Sequence, residues 1–213
     1  MPNNTPSLKF AYHHGDLPKQ THHLALETLR EHGDAAISLR ALAKQLGVSA
    51  PALYRHFSDR DTLLAELAIG GFEALTDRLR AVDQQMPRKA LIEIGLVYVD
   101  FAQEEPNLYR LMFGGRVLPM SVHPRLDAAR KGAFKVLENT VANARELGYL
   151  KPSPVSLITA AAWSLVHGLS QLTIDGHLPG GNAEPMLTES VLSLLLEGSQ
   201  SDAQQQSQQD LTP

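Results

Sequence analysis

Residues 47–57, GVSAPALYRHF, place a phenol, a guanidinium and an imidazole at three successive positions, Tyr54, Arg55 and His56. All three side chains are costly to bury, and all three bond phosphate oxygens well. Arg55 alone carries the planar fork that meets the O6/N7 edge of a guanine with two hydrogen bonds. Just before it, Ala50 and Ala52 are small enough to touch a thymine methyl. Arg40 and Arg60 flank the segment on either side.

A second group with possible chemistry is HHGDLPKQTHH, which gathers His13, His14, His22 and His23 near Asp16. Zinc takes histidine and carboxylate ligands. Adjacent histidines on a helix point about 100° apart, however, so each pair offers one ion a single ligand easily. The alternative place for these histidines is a basic N-terminal arm that gains charge at low pH. The sequence contains no HExxH, no nucleophile elbow and no phosphate-loop motif. No enzyme activity, metal or cofactor is expected.

The elements that must position these residues are all helical. Apolar residues recur at helical spacing with Gly and Pro between the runs, which predicts an all-α chain of about nine helices. The spacing places them at about 16–31, 39–46, 50–57, 59–85, 88–105, 107–113, 124–147, 154–176 and 185–197. This gives an arm at 1–15, a helix-turn-helix domain at 16–62 and a larger helical domain at 63–198. The long 59–85 helix is expected to link the two domains. A Gly/Pro-rich link runs through Pro119, and the Gln/Ser-rich tail at 199–213 has the composition of a disordered segment.

Ser38, Ser49 and Ser58 each precede a helix and are expected to cap it, with Asp61 completing a capping box after Ser58. Gly47 is placed to end the 39–46 helix in a left-handed conformation. Two short helices joined by only GVS must cross steeply, which is the helix-turn-helix arrangement. Leu39, Leu42, Ala43 and Leu46 then form one apolar stripe, and Leu53 and Phe57 point inward. Pro51, Ala52, Tyr54 and Arg55 point outward, with His56 on the flank. Such a face, small at the helix N-terminus and cationic beyond it, suits a DNA major groove, with Arg40 and Arg60 as backbone clamps.

Bulk properties permit this reading. The 213 residues are 43% hydrophobic and 20% charged, enough for a core. Net charge is −4, yet residues 1–65 hold seven Lys/Arg against six Asp/Glu while the remainder hold twelve against seventeen. The front end is therefore the less acidic part. The absence of cysteine excludes disulfides and thiolate metal sites. No unbroken apolar run approaches the roughly 20 residues that cross a bilayer, so no membrane association and a cytoplasmic location are expected.

Residues 16–80, and above all ISLRALAKQLGVSAPALYRHFSDRDTLLAEL with its Tyr-x-His-Phe ending, resemble the N-terminal domain of the TetR family of transcriptional regulators. The resemblance implies phosphate contacts from Tyr54, His56 and Arg60. It places Arg40, Ser49, Ala50, Pro51, Ala52 and Arg55 at or near the bases. Several relatives carry polar residues where Ala50 and Ala52 stand, so base readout here rests on few contacts. Further on, EEPNLYRLMFGG and AAWSLVHGL resemble a TetR subgroup named for Trp, His and Gly, here Trp163, His167 and Gly168.

On that basis the expected molecule is a homodimeric repressor of a palindromic double-stranded operator, released by an unidentified small molecule. Tyr98, Phe101, Tyr109, Met112, Phe113, Trp163 and His167 are candidate ligand contacts, and an aromatic stripe at helical spacing is equally the mark of plain core. The two apolar C-terminal helices supply the expected dimer face through Leu165, Leu169, Leu172, Leu187, Val191, Leu194 and Leu195. A helical protein-interaction adaptor and a His-based metal protein are the alternatives.

Overall fold

The computed structural model describes residues 16–114, 123–178 and 185–199. The expected arm with His13 and His14, the link through Pro119 and the tail beyond Ser199 lie outside these residues. The described residues form nine α-helices and one 3-10 turn. These are α1 (Leu17–His32), the turn Asp34–Ala36, α2 (Leu39–Gln45), α3 (Ala50–Tyr54), α4 (Arg60–Arg80), α5 (Pro87–Glu104), α6 (Pro106–Phe113), α7 (Pro124–Glu146), α8 (Val155–Ile174) and α9 (Pro185–Ser199). The chain divides into two compact units, residues 1–63 and 64–213.

Proline and glycine mark the helix ends for separate reasons. Four helices, α5, α6, α7 and α9, begin at a proline. The missing N–H costs nothing there, and the ring presets φ for the first turn. At the other end of α2, Gly47 takes φ +70°. The Val48 N–H then reaches the Ala43 carbonyl at 3.0 Å and the Gly47 N–H reaches that of Lys44 at 3.3 Å. This pair of bonds is the Schellman motif, and the left-handed residue it needs is cheap only as glycine.

The caps depart from expectation. α4 is held at its start by Asp59, whose Oδ1 accepts from the Thr62 N–H at 2.7 Å and from the Thr62 hydroxyl at 2.8 Å. The Ser58 hydroxyl instead bonds side chains, donating to Asp59 Oδ2 at 3.3 Å and sharing a hydrogen bond with the Thr62 hydroxyl at 2.8 Å. An acceptor-only carboxylate at the positive end of a helix outcompetes a neutral hydroxyl. Ser38 and Ser49 make no side-chain cap. In α3 there is no donor left for Ser49, because Pro51 lacks an N–H and that of Ala52 bonds the Ser49 main-chain carbonyl at 2.9 Å. α3 also stops at Tyr54, where the His56 and Phe57 N–H groups both turn back to the Leu53 carbonyl. The expected 59–85 helix ends at Arg80, since Asp83 draws the Gln85 N–H into a local turn at 3.0 Å.

In the first unit, α1 lies against α2 and α3, and α2 against α3. Leu29, Leu42 and Leu53 are essentially sealed from solvent, with Ala25, Leu39, Ala43 and Phe57 around them. In the second unit α5 is the central rod, packed against α6, α7, α8 and α9. It is buried from Ala90 to Ala102 along one side. Gly95 lets α9 approach: a Cβ there would sit 2.6 Å from a Leu192 methyl. α8 is long and apolar enough by composition to cross a membrane. In the fold, however, it packs on α5 and α7 and leaves its other face bare.

Two outcomes follow from this packing. Leu53→Ala removes a side chain with 0% exposure from behind α3 and should cost about 2–5 kcal/mol, read as a lower urea midpoint of the N-terminal unit. Asp59 has its carboxyl held below the ordinary value, first by the Thr62 N–H and then by the Thr62 hydroxyl. A depressed folded value means that the cap contributes fully above about pH 4 and fades as pH falls through the folded value. Asp59→Ala should therefore lower the melting temperature at pH 7 and make no further difference near pH 2.

Candidate nucleic-acid interface

Every side chain of α3 is sorted by Leu53. With Leu53 and Phe57 buried, Tyr54 at the end of α3 and Arg55 and His56 in the turn that follows face out, and all three are exposed. Tyr54 keeps 44% of its surface, unusual for a ring this size outside a contact site. Pro51 and Ser49 are exposed, and Ala50 and Ala52 are half-buried. Arg40 is exposed on α2. The result is an exposed surface with small residues at the start of the helix and three phosphate-competent groups at and just after its end.

Arg60 is placed otherwise. Its Nε donates to the Ile37 carbonyl at 3.1 Å, and one Nη donates to the Asp34 carbonyl at 2.5 Å and approaches the Asp34 carboxylate at 3.4 Å. The guanidinium thus ties the first residue of α4 to the 3-10 turn before α2. Sequence reasoning sees a cation next to the reading segment and misses this role, because both carbonyls lie more than twenty residues away. Near the histidine group, His22 is half-buried and His23 pairs with Glu27 at 3.3 Å. Among the described residues no three His, Asp or Glu side chains come together in a metal-binding group.

In the second unit the candidate ligand residues split. Tyr98, Tyr109, Phe113, Trp163 and His167 form one aromatic cluster, with Tyr98–Trp163 centroids 5.2 Å apart and Phe113–His167 centroids 5.0 Å apart. His167 Nδ1 lies 2.7 Å from the Tyr109 hydroxyl and 3.2 Å from that of Tyr98, and the two hydroxyls are 3.2 Å apart. Burial pushes the Tyr109 phenol up to about 12 and the Tyr98 phenol higher still, so both keep their protons. Burial lowers the His167 value, which favours the neutral ring.

Phe101 and Met112 fall outside this cluster. Phe101 is buried beneath the Arg78 guanidinium, 5.3 Å above its ring, and Met112 packs where Gly71 leaves room in α4. Tyr98 and Trp163 also border a narrow apolar cavity of about 40 Å³ between α4, α5, α7, α8 and α9, where Leu192 and Leu195 close one side.

The candidate dimer residues also divide. Leu172, Leu187 and Leu194 are exposed, Leu165, Val191 and Leu195 are half-buried, and Leu169 is core. Leu157 on α8 and Met186 on α9, not singled out in the sequence, add to the bare apolar surface. The signal for both was present as unbroken helical periodicity, but which side of each helix the core takes is a tertiary fact.

Comparison with known proteins agrees with this geometry. Residues 23–67 match the domain described as "Bacterial regulatory proteins, tetR family", and residues 91–195 match "Tetracyclin repressor-like, C-terminal domain". The latter is a coarser description than the Trp-His-Gly subgroup. The chain is 35% identical to the HTH-type transcriptional regulator YobS of Bacillus subtilis over 149 residues, 70% of this chain and 74% of that one. It is 30% identical to the HTH-type transcriptional regulator PksA of the same organism, over 72% of this chain and 81% of that one. A Rhodococcus sp. RHA1 protein of unknown function superposes with a TM-score of 0.81 at 30% identity, covering 89% of this chain and 98% of its own.

Arg60→Ala and Arg55→Ala should separate by what they change. Losing the Arg60 tie, whose side chain is 39% exposed, is expected to lower stability by about 1–2 kcal/mol. Losing Arg55 should leave the melting curve within about 0.5 kcal/mol of the parent. Differential scanning calorimetry of the two variants checks both values.

Proposed function

The chain belongs to the tetR family of bacterial regulatory proteins, and from that premise we propose that it works as a homodimeric repressor, reading a palindromic operator through α3 and releasing it when a small molecule occupies the C-terminal unit. It is a DNA-binding transcriptional regulator and not an enzyme. The single observation that carries the reading surface is the split along α3 and the turn after it: Leu53 and Phe57 inside, Tyr54, Arg55 and His56 outside.

In this proposal α3 enters the major groove with Ser49, Ala50, Pro51 and Ala52 closest to the bases, where small side chains permit close approach. Arg55 takes a guanine edge, and Tyr54, His56 and Arg40 hold phosphates. Arg60 acts behind them, fixing α4 against the turn before α2 rather than reaching the backbone itself. Working on DNA, the protein acts in the cytoplasm.

The bare apolar stripe of α8 and α9 supports pairing of two protomers. Leu157, Leu172, Met186, Leu187 and Leu194 are large, exposed and carried on two neighbouring helices. A second copy laid against them gives a four-helix bundle, and a palindromic operator read by two copies presents its half-sites one turn of DNA apart, roughly 34–36 Å. For release, an effector must favour one conformation of the dimer over the other, with a coupling of about 1–3 kcal/mol. The aromatic cluster around Trp163 and His167 is the place in the second unit where such a molecule meets rings and polar groups together.

Selection of random duplexes by the purified protein should return an inverted repeat. Arg55→Ala should bind it about 5–150-fold more weakly and lose discrimination at one base pair per half-site. Tyr54→Phe should weaken all duplexes alike. Parent-like binding by both variants would sink the assignment of α3. Leu194→Glu, at a side chain 68% exposed, should sediment as a monomer and lose the repeat while keeping its helical circular dichroism.

A further inference from the structure

The effector's chemistry can be read from a second cavity in the C-terminal unit, wider than the apolar one and open to solvent. The geometry points to a small apolar carboxylic acid, held as its carboxylate, as the occupant of this cavity between α6, α7 and α8. Its regulatory meaning rests on the release reading above; its binding does not. The cavity measures about 430 Å³ and is lined, among the described residues, by Phe113, Arg130, Lys131, Phe134, Trp163 and His167.

Three rings make the apolar part. Trp163 stands 6.2 Å from Phe113 and 5.4 Å from Phe134, centroid to centroid, and all three are only partly buried. A ligand body laid there would take apolar surface out of water. Among the described residues no acidic side chain lines the cavity.

The polar part consists of donors. Arg130 Nε is buried and has no hydrogen-bond partner, a deficit that a ligand oxygen removes. Lys131 and Arg130 share one carboxylate, Asp127, at 2.6 and 3.6 Å. Two cations against one anion leave a surplus of one positive charge, which matches a monoanion and is half of what a phosphate monoester needs.

His167 adds a third donor. Its Nδ1 is occupied by the Tyr109 and Tyr98 hydroxyls. If Nδ1 carried the proton, the chain would run outward from Nδ1 through the two hydroxyls, and its last phenolic proton would need an acceptor outside these three groups. The reverse chain, Tyr98 to Tyr109 to Nδ1, uses both phenolic protons. It puts the imidazole proton on Nε2, the ring nitrogen not held by the tyrosines. Two lysine/arginine heads and an imidazole N–H beside three rings select an acceptor-only head on a flat apolar body.

Trp163 is the chain's sole tryptophan and reports directly on this cavity. Phenylacetate and cyclohexylacetate, titrated into the full-length protein, should change its emission saturably, with the matched primary amides binding about tenfold more weakly or worse. Arg130→Gln and Lys131→Gln should each weaken acid binding about tenfold and leave amide binding unchanged, and Arg130→Lys should recover part of the loss. Equal affinity for acid and amide, no saturation by either, or acid binding indifferent to both substitutions would overturn the assignment. The same titration on protein bound to its selected duplex separates the two readings. An acid that binds without releasing DNA supports the cavity assignment and ends the release reading. An uncharged compound that releases DNA where neither acid binds overturns the cavity assignment and leaves the regulator intact.

Discussion

A helix of five residues cannot hold itself together. Nucleating a helical turn is unfavourable, and α3 adds almost no propagation to offset it. Its existence and its direction therefore come from outside: from Leu53 and Phe57 anchored in the core of the N-terminal unit, and from the Gly47 turn that fixes where the chain leaves α2. Because the anchors occupy one side, the positions between them have no choice but to face out. The chemistry of the proposed reading surface is thus a by-product of packing, and residue types at Tyr54, Arg55 and His56 can change without disturbing the scaffold that presents them.

Charge is used sparingly and in two ways in this molecule. Arg60 and Asp59 spend theirs within the fold, where the guanidinium satisfies two main-chain carbonyls and the carboxylate receives a helix N-terminus. Arg55 and Arg40 remain on the surface. The same division recurs in the C-terminal unit, where Arg125 pairs with Glu66 at 2.7 Å and Arg110 reaches Asp175 at 3.0 Å, while Arg130 keeps a buried Nε unpaired. A net charge of −4 therefore says little about where an anion would be welcome.

The all-α architecture was legible from periodicity and from Pro and Gly, because both act over a few residues. Helix ends were less so. Ser58 and Asp59 compete for the same N–H groups, and only the spatial outcome tells which wins. The residues joined across long intervals were not legible at all: Tyr98, Tyr109 and His167 meet over separations of 11, 58 and 69 positions. Phe101 and Met112 share the stripe pattern of their neighbours yet pack against α4 instead. Arg130 and Lys131 sit on an amphipathic helix where cations ordinarily mean a solvated side, and only the rings arriving from α6 and α8 turn that stretch into a cavity.

Leaving Leu157, Leu172 and Leu194 uncovered makes a lone protomer a poor solute. If pairing is what covers them, the amount of working species follows mass action and not simply the amount of chain. While pairing is weak, halving the supply of polypeptide cuts the population of pairs roughly fourfold. Gene dosage would then be amplified before any operator is met.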